Sequence, residues 1–323
     1  MRGKRILFLF VLPIVIILAH NLSLAEKEIK QIYLEEVLSI GDLEDNAVLY
    51  MWVDVKVDEN NFIYVTDTMD YSLNKFDSQG KLIKKTGRKG QGPGEFQAPR
   101  FMGLSEKFIY VSDEQISRIQ VFDKELNFIK SIPVRTNVSS LKVISDDKFV
   151  ITSTSISRKS KGKIFILNAE GKITDEFVYS DKELPFLMGT VFLDFDTKGN
   201  LYIAYFFQNR VEKIDPKENT VWSKQLVKME KKPGTVKLES FTFPTDVFYK
   251  DLTLDSSGNI YILGGDFCKN RSRDVYVLNP EGELLTTLTL PDTSHCIYID
   301  KNDYLYSRAN EGVTLKKYKI KYK

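Results

Sequence analysis

The sequence predicts an all-β fold: a six-bladed β-propeller of four-stranded blades, the last blade closed by a strand from the N-terminal end. Three observations carry that expectation. Short apolar strands separated by tight polar turns return five times, and a sixth, partial copy stands at the C-terminus. Four copies share an Asp six residues before a Tyr, namely Asp58 and Tyr64, Asp196 and Tyr202, Asp255 and Tyr261, Asp300 and Tyr306. Helical periodicity is weak beyond the first residues, and a repeat of strands alone implies a radial or stacked β architecture.

Residues 1–25 read as a secretory signal. Arg2, Lys4 and Arg5 precede an apolar run over residues 6–19, and Ser23, Leu24 and Ala25 place small residues where a signal peptidase reads them. The run has 14 residues, short of the ~20 that span a bilayer, and Pro13 interrupts it. An uncleaved anchor is the alternative. The expected mature chain is residues 26–323, exported to the periplasm or the extracellular space, with no stable membrane span. Cleavage removes three basic residues, leaving 43 against 44 acidic ones. A net charge of −1 lacks the electrostatic footprint of a nucleic-acid binder. At 42% hydrophobic and 12% aromatic residues, the chain can build a large core.

Each unit resolves into strands a to d, counted from the axis outward. In the first, residues 52–57 form strand a, 62–66 strand b, 72–76 strand c and 81–86 strand d. Strands b and c then recur at 108–112 and 118–122, 148–152 and 163–167, 200–204 and 210–214, and 259–263 and 274–278. The c–d turns start with Asp77, Asn168, Asp215 and Asn279, with Gly at the fourth position in three of them. Units two and three lack the Asp box. The last unit supplies only strands a, b and c, over residues 296–299, 304–307 and 314–319, and residues 32–41 read as the missing outer strand.

The linker Gly87-Arg88-Lys89-Gly90-Gln91-Gly92-Pro93-Gly94-Glu95-Phe96 leads through Pro99 into a new strand a. With Ile63 to Asp67, Ile109 to Asp113 and Arg118 to Asp123, it resembles the repeat of NHL-type six-bladed propellers of the bacterial exported kind. The resemblance covers residues 29–323 and is closest in the first two blades. Insertions at residues 153–161, 228–243 and 264–273 depart from it. NHL-type amidating lyases hold a central metal with several histidines, whereas His295 is the only histidine after residue 25. RNA binding, known for intracellular members, conflicts with export and with the charge.

The candidate chemistry is sparse. No helix follows the glycines of 90–94 to present an anion site, so they read as turn residues. Asp54 and Asp251 stand four residues before their box Asp and Asp194 two before its own, which makes a central calcium site the alternative to inter-blade hydrogen bonding. His295 and Cys296 are neighbours on a strand and point apart, a poor nucleophile–base pair. Cys268 and Cys296 are a disulfide candidate, since b–c and d–a loops share one face and the two thiols belong to adjacent blades. That face also gathers the expected binding residues Asp67, Tyr71, Arg88, Arg100, Asp113, Arg118, Phe207 and Arg271.

The leading expectation is therefore an exported, non-catalytic binding propeller without cofactor, presenting its loop face to a protein, peptide or glycan in the cell envelope. The alternative is a calcium-dependent hydrolase or lactonase-like enzyme with its site at the central channel.

Overall fold

The computed structural model describes residues 32–41, 49–134, 136, 138–153, 159–185, 188–229, 232–238 and 241–322. The expected signal segment lies outside them. Strand β1 (Ile32–Ile40) belongs to the last blade. Blade 1 is β2 (Trp52–Val57), β3 (Ile63–Asp67), β4 (Ser72–Phe76) and β5 (Leu82–Thr86). Blade 2 is β6 (Pro99–Leu104), β7 (Phe108–Asp113), β8 (Arg118–Asp123) and β9 (Phe128–Pro133). Blade 3 is β10 (Val138–Ser145), β11 (Lys148–Ser153), β12 (Lys159–Asn168) and β13 (Ile173–Pro185). Blade 4 is β14 (Val191–Phe195), β15 (Leu201–Tyr205), β16 (Val211–Ile214) and β17 (Thr220–Lys224).

A separate hairpin follows, β18 (Thr235–Leu238) with β19 (Phe241–Pro244). Blade 5 is β20 (Tyr249–Leu254), β21 (Ile260–Gly264), β22 (Asp274–Leu278) and β23 (Leu284–Thr289). Blade 6 combines β24 (Ile297–Ile299), β25 (Tyr304–Ala309) and β26 (Thr314–Tyr322) with β1. All pairings within blades are antiparallel, and the six four-stranded blades and the β1 closure are those the sequence predicts. Two insertions hold more order than their composition suggests. The stretch 228–243 carries β18 and most of β19, and β12 begins at Lys159, inside the insertion expected at 153–161.

The repeated Asp works as a turn clamp. In Asp58, Asp196, Asp255 and Asp300, one carboxylate oxygen accepts the amides two and four residues on, at 2.8–3.0 Å. The other accepts the hydroxyl of the Tyr six residues on, at 2.9–3.4 Å. One residue thus closes the a–b turn and satisfies a phenol buried in strand b, an arrangement that needs both partners at a fixed spacing. Burial, with the carboxylate alongside, pushes the hydroxyls of Tyr64, Tyr202 and Tyr306 up. Blade 2 solves the same problem differently: Ser105 closes the turn, and Tyr110 donates to the Asp146 carbonyl of blade 3 at 2.6 Å. The c–d turns repeat the clamp without the phenol, through Asp77, Asp123, Asn168, Asp215 and Asn279.

The apolar core lies between blades. Among the described residues, six buried clusters each join two neighbouring blades, as where Tyr64 and Leu73 of blade 1 meet Met102 and Ile109 of blade 2. Strands b and c are therefore covered on both faces, and β3, β4, β15, β21 and β22 are buried along their whole length. The sixth interface needs β1: Ile40 packs with Leu315, Val55 and Tyr306, and β1 pairs with β26 from Ile32 with Tyr322 to Ile40 with Leu315.

Replacing Asp300 with Ala leaves the Tyr306 hydroxyl and two turn amides without their acceptor. The expected cost is about 2–4 kcal/mol in urea unfolding, against a visibly smaller loss for Asp215→Ala in an exposed c–d turn. Equal losses would show that the buried phenol does not matter.

Candidate functional site

The inner strands enclose a cavity of about 600 Å³ on the ring axis. All six blades line it through strand a or the loop leading into it, and Thr68, Glu114, Gln115 and Phe206 add b–c loop residues. No a–b or c–d turn contributes to the lining, so the mouth lies on the face shared by the b–c and d–a loops. Phe101, Phe192, Phe206 and Tyr298 give the wall aromatic surface. Its charges are Lys56, Arg100, Lys142, Lys250 and Arg308 against Asp54, Glu114 and Asp251, five cations to three carboxylates.

Three of the five cations are paired. Lys56 meets Asp54 at 2.5 Å, Arg100 meets Glu114 at 2.7 Å, and Lys142 meets Asp194 at 3.1 Å. The axial aspartates also tie the blades together. Asp54 accepts the amides of Val55 and, across the interface, Met102, both at 2.8 Å. Asp251 repeats this with Leu252 at 2.8 Å and Ile297 of blade 6 at 2.9 Å. Asp194 accepts the Phe195 amide at 3.0 Å. These carboxylates do not fit a calcium site, because lysine ammoniums hold two of them and backbone amides occupy all three. Among the described residues, no group of three or more His, Cys, Asp or Glu side chains is placed to hold a metal ion. Burial pushes the Asp251 carboxyl up to about 7, and the Asp54 charge adds to the effect.

Of the residues expected to bind, Arg100 alone lines the cavity. Asp67 and Asp113 are fully buried. Asp67 accepts four amides, from Tyr50, Met51, Met69 and Asp70, fastening the incoming d–a loop to its own b–c loop. Asp113 does the same for Gln97 and Ala98 and pairs with Arg118 at 3.3 Å. Arg118 donates to the carbonyls of Gln91, Gly92 and Glu95, so it holds the glycine loop. Within that loop Glu95 accepts the Gly92 amide and pairs with Arg88, and both interactions hold its carboxyl low. Tyr71 lies under the Lys89 ammonium, Phe207 stands edge-on to Phe206, and Arg271 pairs with Asp266 at 2.7 Å.

The disulfide expectation is corrected: both cysteines are free. The Cys268 thiol turns into its own loop and donates to the carbonyls of Gly265 and Asn270, each at 3.0 Å. Cys296 faces the cavity instead, and burial drives its thiol well above the usual range. Its neighbour His295 lines the same cavity, although alternation along a strand predicts that the two point apart, and lies 3.4 Å from Lys250 Nζ through Nδ1. The residues missed in the sequence are Lys56, Lys142, Lys250 and Arg308. The alternation of inner-strand side chains could have pointed to Lys56, two residues beyond Asp54 on the same face.

A family model described as a 6-bladed beta-propeller, DUF5128, matches residues 52–262. The chain belongs to this family. No curated protein matches the sequence. Among solved structures, a member of the duf4221 family from Bacteroides vulgatus is 13% identical with a TM-score of 0.60, covering 91% of this chain and 99% of that one. A protein of unknown function from Bacteroides thetaiotaomicron gives 13% and 0.60, covering 90% of this chain and 76% of that one. A catalytically inactive virginiamycin B lyase from Staphylococcus aureus with quinupristin gives 11% and 0.55, covering 83% of this chain and 80% of that one. At such identities the likeness concerns the DUF5128 chain's fold alone.

The raised Asp251 carboxyl makes stability pH-dependent. The folded state keeps a proton that the unfolded carboxyl, at 3.8, has lost. The stability this group contributes therefore falls as pH rises from about 4 to about 7 and is flat above. Asp251→Asn removes that slope, so its melting temperature gains on the parent's between pH 4.5 and 7.5. Parallel melting curves across that range would refute the assignment.

Proposed function

We propose that the chain is an exported binding propeller whose axial cavity and surrounding b–c loops receive a peptide or glycan, free or as part of a larger partner, in the cell envelope. The observation that supports this most directly is the cavity itself. At about 600 Å³ it lies within the usual range for ligand pockets, and it combines aromatic wall with convergent polar groups. Export rests on residues 1–25, with their basic start, apolar run and small-residue end. The finer assignment of blades 1 and 2 to the NHL repeat rests on the linker at 87–96.

A hydrolytic reading asks for axial carboxylates free to take a cation, or for a thiol activated by a base. Lys56 and Lys142 hold Asp54 and Asp194, and burial holds the Cys296 thiol well above the range in which it would ionise. The arrangement therefore favours recognition over turnover.

Arrays of short glycans and of tri- to hexapeptides, probed with the labelled protein, test the reading. Hits should bind the parent and Arg271→Ala alike, because Arg271 lies outside the lining. They should be lost in Gln115→Trp and Ser140→Trp, which narrow the mouth and fill the cavity. Hits that survive both blocking substitutions would move the site off the axis, and an array without hits would count against recognition of either class.

A further inference from the structure

The cavity's cations divide into two groups. Lys56, Arg100 and Lys142 each have a carboxylate partner. Among the described residues, Lys250 and Arg308 form no ion pair, although both line the cavity on the blade 5 and blade 6 side. His295 lines the same cavity, with Nδ1 at 3.4 Å from Lys250 Nζ and within electrostatic reach of Arg308. The nearby carboxylates are engaged elsewhere: Asp266 with Arg271 and the Val247 amide, Asp251 with the amides of Leu252 and Ile297.

The Arg308 guanidinium is held but not satisfied. One terminal nitrogen donates to the Glu311 carbonyl at 2.8 Å, while its Nε is buried without a partner. Gly312, at φ +103°, leaves the space the guanidinium occupies, since a Cβ there would collide with it. Ser294 fixes the neighbouring backbone, accepting the Arg308 amide at 3.0 Å and donating to the Cys296 carbonyl at 2.7 Å. Two like charges and an imidazole, pre-positioned on a cavity wall with donors to spare, form the complement of an oxyanion.

We propose that Lys250, His295 and Arg308 form an anion-binding subsite in the axial cavity, taking a carboxylate or a phosphate monoester on a ligand whose body rests on the aromatic wall. The inference deepens the binding reading above and rests on it. The electrostatics agree: burial, and then the charges of Lys250 and Arg308, depress His295 to about 4. Burial also lowers Lys250 and Arg308. Asp266, from the b–c loop of blade 5, pulls His295 and Lys250 the other way, Cys268 does so for Lys250, and Asp67 and Cys296 do so for Arg308. An anion placed among these groups relieves their repulsion and raises the His295 value. Binding then takes up a proton and tightens as pH falls towards about 4, below which the imidazole is charged with or without ligand.

Calorimetry with three probes tests this: inorganic phosphate, N-acetylphenylalanine, and the neutral N-acetylphenylalanine amide. At least one anion should bind, and the acid should exceed the amide by about tenfold or more. Lys250→Met and Arg308→Gln should each weaken the bound anion about tenfold or more, and Arg100→Gln, at an ion-paired cation, by under about threefold. Affinity should rise from pH 7.5 to 5.5, and the His295 imidazole resonance should titrate higher in saturating anion. Binding of the carboxylate alone identifies a peptide terminus or organic acid as the source, and of phosphate alone a phosphoryl group.

Melting temperatures check that the variants fold. If Arg308→Gln does not, Lys250→Met and the His295 titration decide. Equal affinity for acid and amide, anion binding indifferent to Lys250→Met, or a His295 titration unmoved by anion would each overturn the subsite. Array hits still blocked by Gln115→Trp would then leave the cavity reading standing. Loss of those hits from the cavity as well would end both.

Discussion

Because neighbouring blades cover the inner strands on both faces, none of the six sheets has a core of its own. The buried clusters lie in the gaps between sheets, and each needs side chains from two blades. Stability therefore comes from interfaces, and an open row of six blades would leave one interface unmade. Antiparallel pairing of β1 with β26 completes blade 6 and puts Ile40 into the cluster shared with blade 1. Ion pairs from Lys316 to Glu36 and Lys321 to Glu35 flank the pairing at the exposed rim, where they add little beyond register. The apolar contacts and the strand ladder carry the closure.

Ring geometry then decides what the polar residues do. Every blade turns sharply between strands, and each turn leaves amides that no strand ladder satisfies. Asp and Asn at the a–b and c–d turns take those amides, Asp67 and Asp113 take those of the d–a loops, and Asp54 and Asp251 reach across to the next inner strand. Acidic residues that resemble a binding or metal constellation in sequence are largely the acceptors of a backbone that curves too tightly to satisfy itself.

This explains which features could be read in advance. The Asp-to-Tyr spacing is local, so turn chemistry and a buried phenol leave their mark within seven residues, and the blades follow from it. The closing strand was legible because blade 6 lacked an outer strand and an unassigned one stood at the other end. The cavity was not legible. Its wall draws on every inner strand, residues such as Lys56 and Lys250 lie nearly two hundred positions apart, and only ring closure brings them to one cavity. Arg118 and Asp113 looked like surface groups because sequence does not show that the glycine loop folds back over them. Cys268 and Cys296 are near in blade order but belong to different core clusters, and that separation depends on side-chain direction, which spacing alone does not reveal.

The uneven pairing of charge around the axis is harder to attribute to architecture. Lys56, Arg100 and Lys142 each neutralise a carboxylate on or beside the wall, so their presence follows from the need to leave no bare charge there. Lys250 is only 8% exposed, sits beside another cation and an imidazole, and has no such reason to be there. Burying a cation next to like charge opposes folding, and a methionine of similar length would fill the space without that cost. Arg308 lines the same cavity with a buried, unsatisfied Nε packed against Gly312. Lys124 Nζ, Asp146 Oδ1 and Tyr318 OH are also buried without a partner, but none of them lines the cavity, whereas Lys250 and Arg308 both do. The cavity opens on the face of the b–c and d–a loops, so an anion that neutralised Lys250 and Arg308 would reach them without any blade parting from its neighbour.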